Sequence, residues 1–329
     1  MDKNTGIAIV GAGRWGMNHV KTAYQLLGKN LLYVCDFNPA AEKKVKEVSS
    51  EINFVSELGP IIQDKNVKGV IIATPAETHY DVAVKILEAG KDVLIEKPLT
   101  LYVEDAEKLV DLADSLKRKV MVGHILLYHP AIIKIKQLIG EGKIGTLQYI
   151  YSNRLNLGAI RSEENILWSF APHDISIIQY LTESNPVEIS ASGASFVQNN
   201  IEDTTITYLS YPNNVHAHIF VSWLHPFKEQ RLVIIGNKGM FVFEDSLKTD
   251  KLKFYEKGFS NLDGNIQKFE SDFEVVQYDD KAPLQEEQKH FIDCIENNLK
   301  PLTDGRHAIE VLSILEEATK KIKNKVDSY

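Results

Sequence analysis

The glycine-rich turn Gly11-Ala12-Gly13-Arg14-Trp15-Gly16 constrains this chain more than any other feature, because it follows directly on the apolar run Gly6 to Val10. A G-x-G-x-x-G turn between a strand and a helix reads as a βα unit that faces a phosphate. Gly11 permits the tight turn, Gly13 removes the side chain that would keep a pyrophosphate off the backbone, and Gly16 lets the following helix pack close to the sheet. The amides at that helix start then point at the anion. Asp36 closes the second strand-like run 20 residues beyond Gly16. A carboxylate there can accept both hydroxyls of an adenosine ribose and would repel a 2′-phosphate. The pair of signals implies a dinucleotide, NAD(H) in preference to NADP(H), with Arg14 and Lys43 as the cations that could serve the phosphorylated form instead.

Downstream, short β-branched runs alternate with helix-like stretches. Strands are predicted at 6–10, 31–36, 69–73, 92–96 and 119–122, in the order βαβαβαβαβ. Val82, Ile86 and Leu87 share one helical face, and Ala106, Leu109, Val110 and Ala113 another, so both segments should pack on the sheet. Residues 1–122 therefore read as a Rossmann domain, a doubly wound parallel sheet of the α/β class. After residue 123 the texture changes to strand-like segments at 146–156, 187–197, 204–211, 215–223, 230–235 and 240–244. Pro212-Asn213-Asn214 and Gly236-Asn237-Lys238-Gly239 are good hairpin connections, so 123–329 is predicted as an α+β domain on a mostly antiparallel sheet. Two helices close it, at 283–298 opened by Pro283 and at 304–325 capped by Asp304. The acidic stretch around 271–287 reads as a solvated loop.

Composition excludes several classes of function. A formal net charge of −8 disfavours a nucleic-acid surface, which needs clustered Lys and Arg. The two cysteines, Cys35 and Cys294, both fall in apolar runs, so a disulfide framework is not expected. No run approaches membrane-spanning length and no signal peptide is legible, so a cytoplasmic protein with a small-molecule partner is expected. His216 and His218 share one strand face, but no Cys or carboxylate completes a ligand set, and no metal is expected.

Two further motifs carry a resemblance. Ala73-Thr74-Pro75-Ala76-Glu77-Thr78-His79 follows the third main strand and Glu96-Lys97-Pro98 the next, while Pro301-Leu302-Thr303-Asp304-Gly305 leads into the last helix. With these the chain resembles, over nearly its full length, the glucose-fructose oxidoreductase and inositol dehydrogenase (Gfo/Idh/MocA) family. The resemblance implies an open-faced sheet in the C-terminal domain, substrate between that sheet and the nicotinamide, and a homodimer or homotetramer formed through the sheet's exposed face. It implies a cofactor site made by Gly11, Gly13, Arg14, Trp15, Gly16, Asp36, Thr74, Pro75, His79, Glu96 and Lys97.

Lys97 lies just past a strand's C-terminal end, on the rim where open α/β sheets bind ligands. In the family the Lys of Glu-Lys-Pro takes part in proton transfer at the reacting hydroxyl, and desolvation beside a cationic ring would lower its pKa. His173 is the second catalytic candidate. Pro172 reads as the first residue of a helix, which would set the imidazole at the positive end of the dipole as a neutral base. Relatives with an Asp-x-x-x-His pair carry a carboxylate where this chain has Ser169, so Lys97 carries more of the transfer, or Asp174 or Asn165 orients His173.

The run Val122-Gly123-His124-Ile125-Leu126-Leu127-Tyr128 is apolar where many relatives carry arginine, leaving His124, Arg154 or Arg161 to serve its ligand. Residues 151–174 look like the branch that works on nucleotide-linked sugars. They add Asn156, Asn165 and Trp168 to the substrate candidates, with Arg154 and Arg161 able to grip a diphosphate. The expected reaction is hydride transfer from a sugar's secondary alcohol, C3 of a nucleotide-linked amino sugar such as UDP-N-acetylglucosamine. A free sugar or inositol-like polyol is the alternative within enzymes, and a non-catalytic regulator on the same fold is the alternative outside them.

Overall fold

The computed structural model describes residues 5–158, 160–262 and 264–326. The chain divides into two compact units, Met1–Tyr128 with Lys281–Leu312 and His129–Asp280 with Ser313–Tyr329.

In the first unit, β1 (Gly6–Val10), β2 (Leu31–Cys35), β3 (Asn53–Val55), β4 (Val67–Ile72), β5 (Asp92–Ile95) and β6 (Val120–Val122) form one sheet. All pairs are parallel and the order is β3-β2-β1-β4-β5-β6. Between them run α1 (Gly16–Leu27), α2 (Ala41–Val48), α3 (Gly59–Gln63), α4 (His79–Glu88) and α5 (Val103–Leu116). The strand order reverses at β1 and β4, which opens a crevice at their carboxyl ends. β1 is buried along its whole length, as a central strand covered on both faces must be. Its Ile7 and Ile9 share a core cluster with Val20 and Ala23 of α1, Ile71 of β4 and Leu94 of β5. β3 escapes periodicity analysis because three edge residues, one exposed and two half-covered, cannot show a period.

The second unit holds α6 (Pro130–Gly140), β7 (Leu147–Leu155), α7 (Ile166–Thr182), β8 (Glu188–Ala194), β9 (Thr204–Tyr211), β10 (Val215–Ser222), β11 (Glu229–Gly236), β12 (Met240–Glu244), β13 (Leu252–Leu262) and β14 (Asn265–Val275). Its eight strands run in the order β14-β13-β12-β11-β7-β10-β9-β8. Among the described residues only β7 and β10 pair in parallel. The two expected hairpins form: Pro212–Asn214 joins β9 to β10, with Asn213 and Asn214 at φ 60° and 58°, and Gly236 N–H donates to Gly239 O at 2.9 Å. Along β10 the buried set Val215, Ala217, Ile219 and Val221 alternates with His216, His218 and Phe220 on the other face, so one face packs and one stays open.

Two expectations are corrected. The acidic stretch is not a loop throughout: Asn265–Val275 pairs with β13, and Pro283 opens α8 (Pro283–Glu296). β14 is exposed at nearly every position, so no apolar alternation marks it. Cross-strand pairs such as Tyr255 with Phe273, ring centroids 5.7 Å apart, hold it instead. Pro172 does not start a helix; it lies inside α7, which begins at Ile166 with Asn165 as N-cap, its Oδ1 accepting from Trp168 N–H at 3.2 Å. An interior proline costs about 3 kcal/mol. Burial of Ile166, Leu167, Ile175 and Ile178 outweighs it at ~1.5–3 kcal/mol per side chain.

α8 returns to the first unit, where Phe291 and Ile292 join the core cluster. Gly69 of β4 permits this, because a Cβ there would lie 2.6 Å from Ile295 and 3.0 Å from the Phe291 ring. The last helix, α9 (Gly305–Val326), begins in the first unit and ends in the second. Among the described residues no helix is long and apolar enough to cross a membrane.

Candidate active site

The glycine turn has the geometry its sequence demands. Gly11 adopts φ +97°, and a Cβ there would lie 2.6 Å from the Ala73 carbonyl. A Cβ on Gly16 would run into the Gly11 carbonyl oxygen. Around Gly13 the situation is opposite: it is exposed, and no atom lies within 4 Å of where its Cβ would be. Two glycines are needed by the fold; the third leaves open backbone. Asp36 backs the turn, its Oδ2 accepting from Ala12 N–H at 2.7 Å and its Oδ1 from Asn38 N–H at 2.9 Å. Each oxygen keeps a lone pair for a further donor. Arg14 lines a cleft of α1 and α2 with Lys21, Tyr24 and Lys44, and Lys43 does not line it.

Beyond β4 and β5 the loops are braced by His79, 1% exposed, whose Nδ1 lies 2.8 Å from Pro98 O and Nε2 2.9 Å from Thr74 O. Thr78 donates to Thr74 Oγ1 at 2.8 Å. These contacts give His79 a holding role under the loop that carries Thr74 and Pro75. Glu96 is the centre of a longer chain. Its Oε1 accepts from Trp15 Nε1 at 2.5 Å and lies 2.7 Å from His19 Nε2, and its Oε2 accepts from Lys97 N–H at 3.2 Å. His19 Nδ1 in turn lies 3.0 Å from Gln288 Nε2 of α8. Burial alone would raise the Glu96 carboxyl, but the bonds and charge of His19 and the Trp15 indole hold it below its ordinary value. Glu287, fully buried beside it, goes the other way: burial first and the Glu96 charge second push it well above the usual range.

In the second unit the candidates divide. Arg154 grips Asp174 with both arms, Nε to Oδ2 at 2.9 Å and Nη2 to Oδ1 at 3.0 Å, and Ser152 Oγ adds a bond to Oδ1 at 2.7 Å. Asp174 is 1% exposed, so this is a buried structural pair, and the fork of Arg154 is not open to a diphosphate. Arg161 is exposed and paired with Glu164 at 2.5 Å. Besides capping α7, Asn165 donates to Glu202 at 2.6 Å; Trp168 Nε1 donates to Thr319 at 2.9 Å. Asn156 is half-buried, its N–H on Ser222 O at 3.1 Å. His173 is half-buried in the interior of α7, away from the helix start, so the dipole gives it no special stabilisation as a neutral base. Both groups considered for orienting it, Asp174 and Asn165, are engaged elsewhere.

His124 belongs to the first unit and is 2% exposed just past β6. Sequence reasoning missed His19, Glu287, Gln288 and His307. Only His19 leaves a trace, three residues after Gly16 and so on the inner face of α1.

Comparison with known proteins bears on both halves. Residues 5–124 match the model of an oxidoreductase family with an NAD-binding Rossmann fold, and residues 132–242 match the GFO/IDH/MocA C-terminal domain. The chain is 25% identical to scyllo-inositol 2-dehydrogenase (NAD(+)) of Bacillus subtilis, covering 98% of this chain and 96% of that one. It is 28% identical to UDP-N-acetylglucosamine 3-dehydrogenase of Acidithiobacillus ferrooxidans over 65% of this chain and 66% of that one. A solved structure of the latter enzyme superposes with a TM-score of 0.83 at 23% identity, covering 97% of each chain.

Proposed function

The chain belongs to the Gfo/Idh/MocA oxidoreductase family, and from that premise we propose that it moves a hydride between a secondary alcohol of a sugar and NAD(H). The observation that carries the reading is the contrast among the three glycines, two required by packing and Gly13 alone opening bare backbone. The residues present fit the dinucleotide: Gly11, Gly13 and Gly16 with the α1 amides for the pyrophosphate, Asp36 for the adenosine ribose, and Trp15, Thr74, Pro75 and Glu96 along the same sheet edge. Bound there, the nicotinamide supplies the hydride acceptor or donor. Asp36 supports NAD(H) over NADP(H), while Arg14 stands with Lys21 and Lys44 in the α1 and α2 cleft.

Lys97 holds the reacting hydroxyl and exchanges its proton. His173 is the second proton-handling group; with Ser169 where relatives carry a carboxylate, either Lys97 carries more of the transfer or another group orients His173. The first substrate class is a nucleotide-linked amino sugar oxidised at C3, supported by the likeness to UDP-N-acetylglucosamine 3-dehydrogenase over the whole fold. A free polyol is the second, favoured by the commitment of Arg154 to Asp174 and by the full-length match to an inositol dehydrogenase.

The test is a panel of nucleotide sugars, free sugars and inositols with each coenzyme, followed by absorbance of the reduced nicotinamide. Turnover with UDP-N-acetylglucosamine that free UDP inhibits supports the first class; turnover of inositols untouched by UDP supports the second. If Lys97→Ala and His173→Ala both match wild type, the catalytic assignment is wrong.

A further inference from the structure

Glu96 is a largely buried carboxylate, its side chain 13% exposed, on which the glycine turn, α1 and the end of β6 converge. Its Oε1 accepts from the Trp15 indole of the turn and faces His19 Nε2 of α1, and its Oε2 accepts from Lys97 N–H. β6 makes room for it, because a Cβ on Gly123 would stand 3.0–3.2 Å from the carboxylate atoms. The Trp15 and His19 rings pack edge to face, centroids 6.0 Å apart. Trp15 is 43% exposed, whereas His19 and Gln288 are buried, so this chain of contacts runs from the surface of the turn into the core. No step of hydride or proton transfer uses His19 or Gln288.

Donor and acceptor capacities decide how these two residues act. Gln288 Nε2 lies 3.0 Å from His19 Nδ1 and donates to the His19 carbonyl oxygen at 3.2 Å. A carbonyl oxygen only accepts, so the amide must present its nitrogen to this pair, and Nδ1 must then accept as well. The one proton of the neutral ring is left on Nε2, 2.7 Å from Glu96 Oε1. A second proton, on Nδ1, would cost the Gln288 bond; where acid supplies it, the charge adds to the bond in keeping Glu96 ionised. The other neighbours leave the charge of Glu96 uncancelled. Glu287 of α8 is driven to its neutral form by burial and then by Glu96. His124, beyond Lys97, is driven to its neutral form by burial, then by His307 and Lys97. Among the described residues that leaves Lys97 as the cation facing Glu96.

We propose that His19 and Gln288 are positioning residues for Lys97, acting through Glu96; the proposal rests on the dehydrogenase reading above. Gln288 fixes the His19 proton on Nε2, His19 fixes the carboxylate, and the carboxylate braces Trp15 of the coenzyme turn against the backbone of Lys97. It also gives the Lys97 amine a negative neighbour. In oxidation the substrate C–H bond breaks and hydride leaves with its electron pair for the nicotinamide, while the O–H proton passes to the Lys97 amine. The ammonium so formed is stabilised by the Glu96 charge. No proton moves through His19, whose nitrogens both stay tied. Without the His19 donor, burial would govern Glu96 and draw a proton onto it, and the ammonium would lose its partner.

The test compares His19→Leu, which removes the donor, with His19→Gln, whose amide nitrogen takes the place of Nε2, in the full chain without coenzyme. The Trp15 indole N–H, one of three and assigned by its loss in Trp15→Phe, reports the charge of Glu96 in proton–nitrogen NMR. Glu287→Gln in every protein leaves one carboxyl of the pair to titrate. From about pH 5 to about pH 8 the resonance should stay fixed with His19 or His19→Gln and should titrate in His19→Leu, where burial acts without the donor. Histidine nitrogen NMR should show His19 as the Nε2–H tautomer at neutral pH, and Gln288→Met should lose it. An indole that behaves alike in His19→Leu and His19→Gln, or a His19 with its proton on Nδ1 at neutral pH, would overturn the proposal. With an active sugar, the acid limb of kcat/KM for oxidation should move to lower pH by about one unit or more in His19→Leu, because Lys97 loses its negative neighbour, and hold in His19→Gln. A limb that stays put in His19→Leu would overturn the link to Lys97 while leaving the dehydrogenase reading intact. Failure of every sugar would sink that reading alone, and both NMR measurements would still decide the roles of His19 and Gln288.

Discussion

Replacing Gly13 by alanine should separate ligand binding from folding. Its new methyl meets no atom within 4 Å, and the backbone there is outside the left-handed region. Restricting the unfolded chain should then leave stability unchanged or raise it by about 0.4–1 kcal/mol. The same methyl would project from the open backbone of the turn that leads into α1, where the pyrophosphate is proposed to approach. Losing one charge-assisted bond of ~1.5–3 kcal/mol weakens the coenzyme roughly 10- to 150-fold. Thermal melts and calorimetric titration with NAD read the two effects separately. Gly16→Ala is the contrasting control: its methyl meets the Gly11 carbonyl, a backbone atom that cannot yield, so stability should fall with affinity. A Gly13→Ala protein that binds NAD as tightly as wild type would refute the phosphate-facing role of the turn.

Three other outcomes follow from the geometry. Arg154→Met should destabilise the fold by about 3–5 kcal/mol in denaturant unfolding, because it leaves the Asp174 carboxylate buried without its counter-ion; a neutral result would return Arg154 to the list of substrate ligands. Glu287 is held neutral by burial and by Glu96, so the unfolded chain releases its proton at a lower pH than the native state does. Its contribution is full below the ordinary carboxyl range and is lost as pH rises toward the raised native value. The melting advantage of Glu287→Gln over wild type should therefore widen from about pH 5 to about pH 8, and a constant gap would contradict a neutral Glu287. If assembly uses the open face of the eight-stranded sheet, a double change of Ile206 and Tyr208, 48% and 40% exposed, to glutamate should give monomers in sedimentation without lowering the melting temperature.

How much of the fold was legible depended on how strongly each segment repeats. β1, β4 and β5 are buried along nearly their whole length and read as apolar runs, and β9 and β10 alternate between a buried and an open face, whereas Leu232, Val233 and Ile234 of β11 are buried in succession. β13 and β14 carry lysines, glutamates and serines on both sides, so pairing partners rather than pattern define them. The return of α8 to the first unit is a packing fact. It turns on Gly69, an unremarked glycine in β4 whose missing side chain admits the Phe291 ring. Pro172 misled for a related reason: local preference favours a helix start there, and burial along α7 overrides it.

At the site, motif residues were legible because their spacing is tied to one backbone geometry, whereas the roles of side chains with many uses were not. Arg154 looks the same in sequence whether it awaits a diphosphate or holds Asp174, and only the two bonds at 2.9 Å and 3.0 Å decide. Histidines show this most sharply. The chain has ten, and nothing in their neighbours distinguishes His79, tied at both nitrogens, from His124, tied at neither. The same accounting bears on the missing carboxylate at Ser169. Asp174 is held by Arg154 and Ser152, and Asn165 by the α7 cap and Glu202, so both groups considered for orienting His173 carry other bonds. Under the proposed dehydrogenase reading, the Ser169 position is then the reason to assign the larger share of proton transfer to Lys97, and the paired Lys97→Ala and His173→Ala variants decide it.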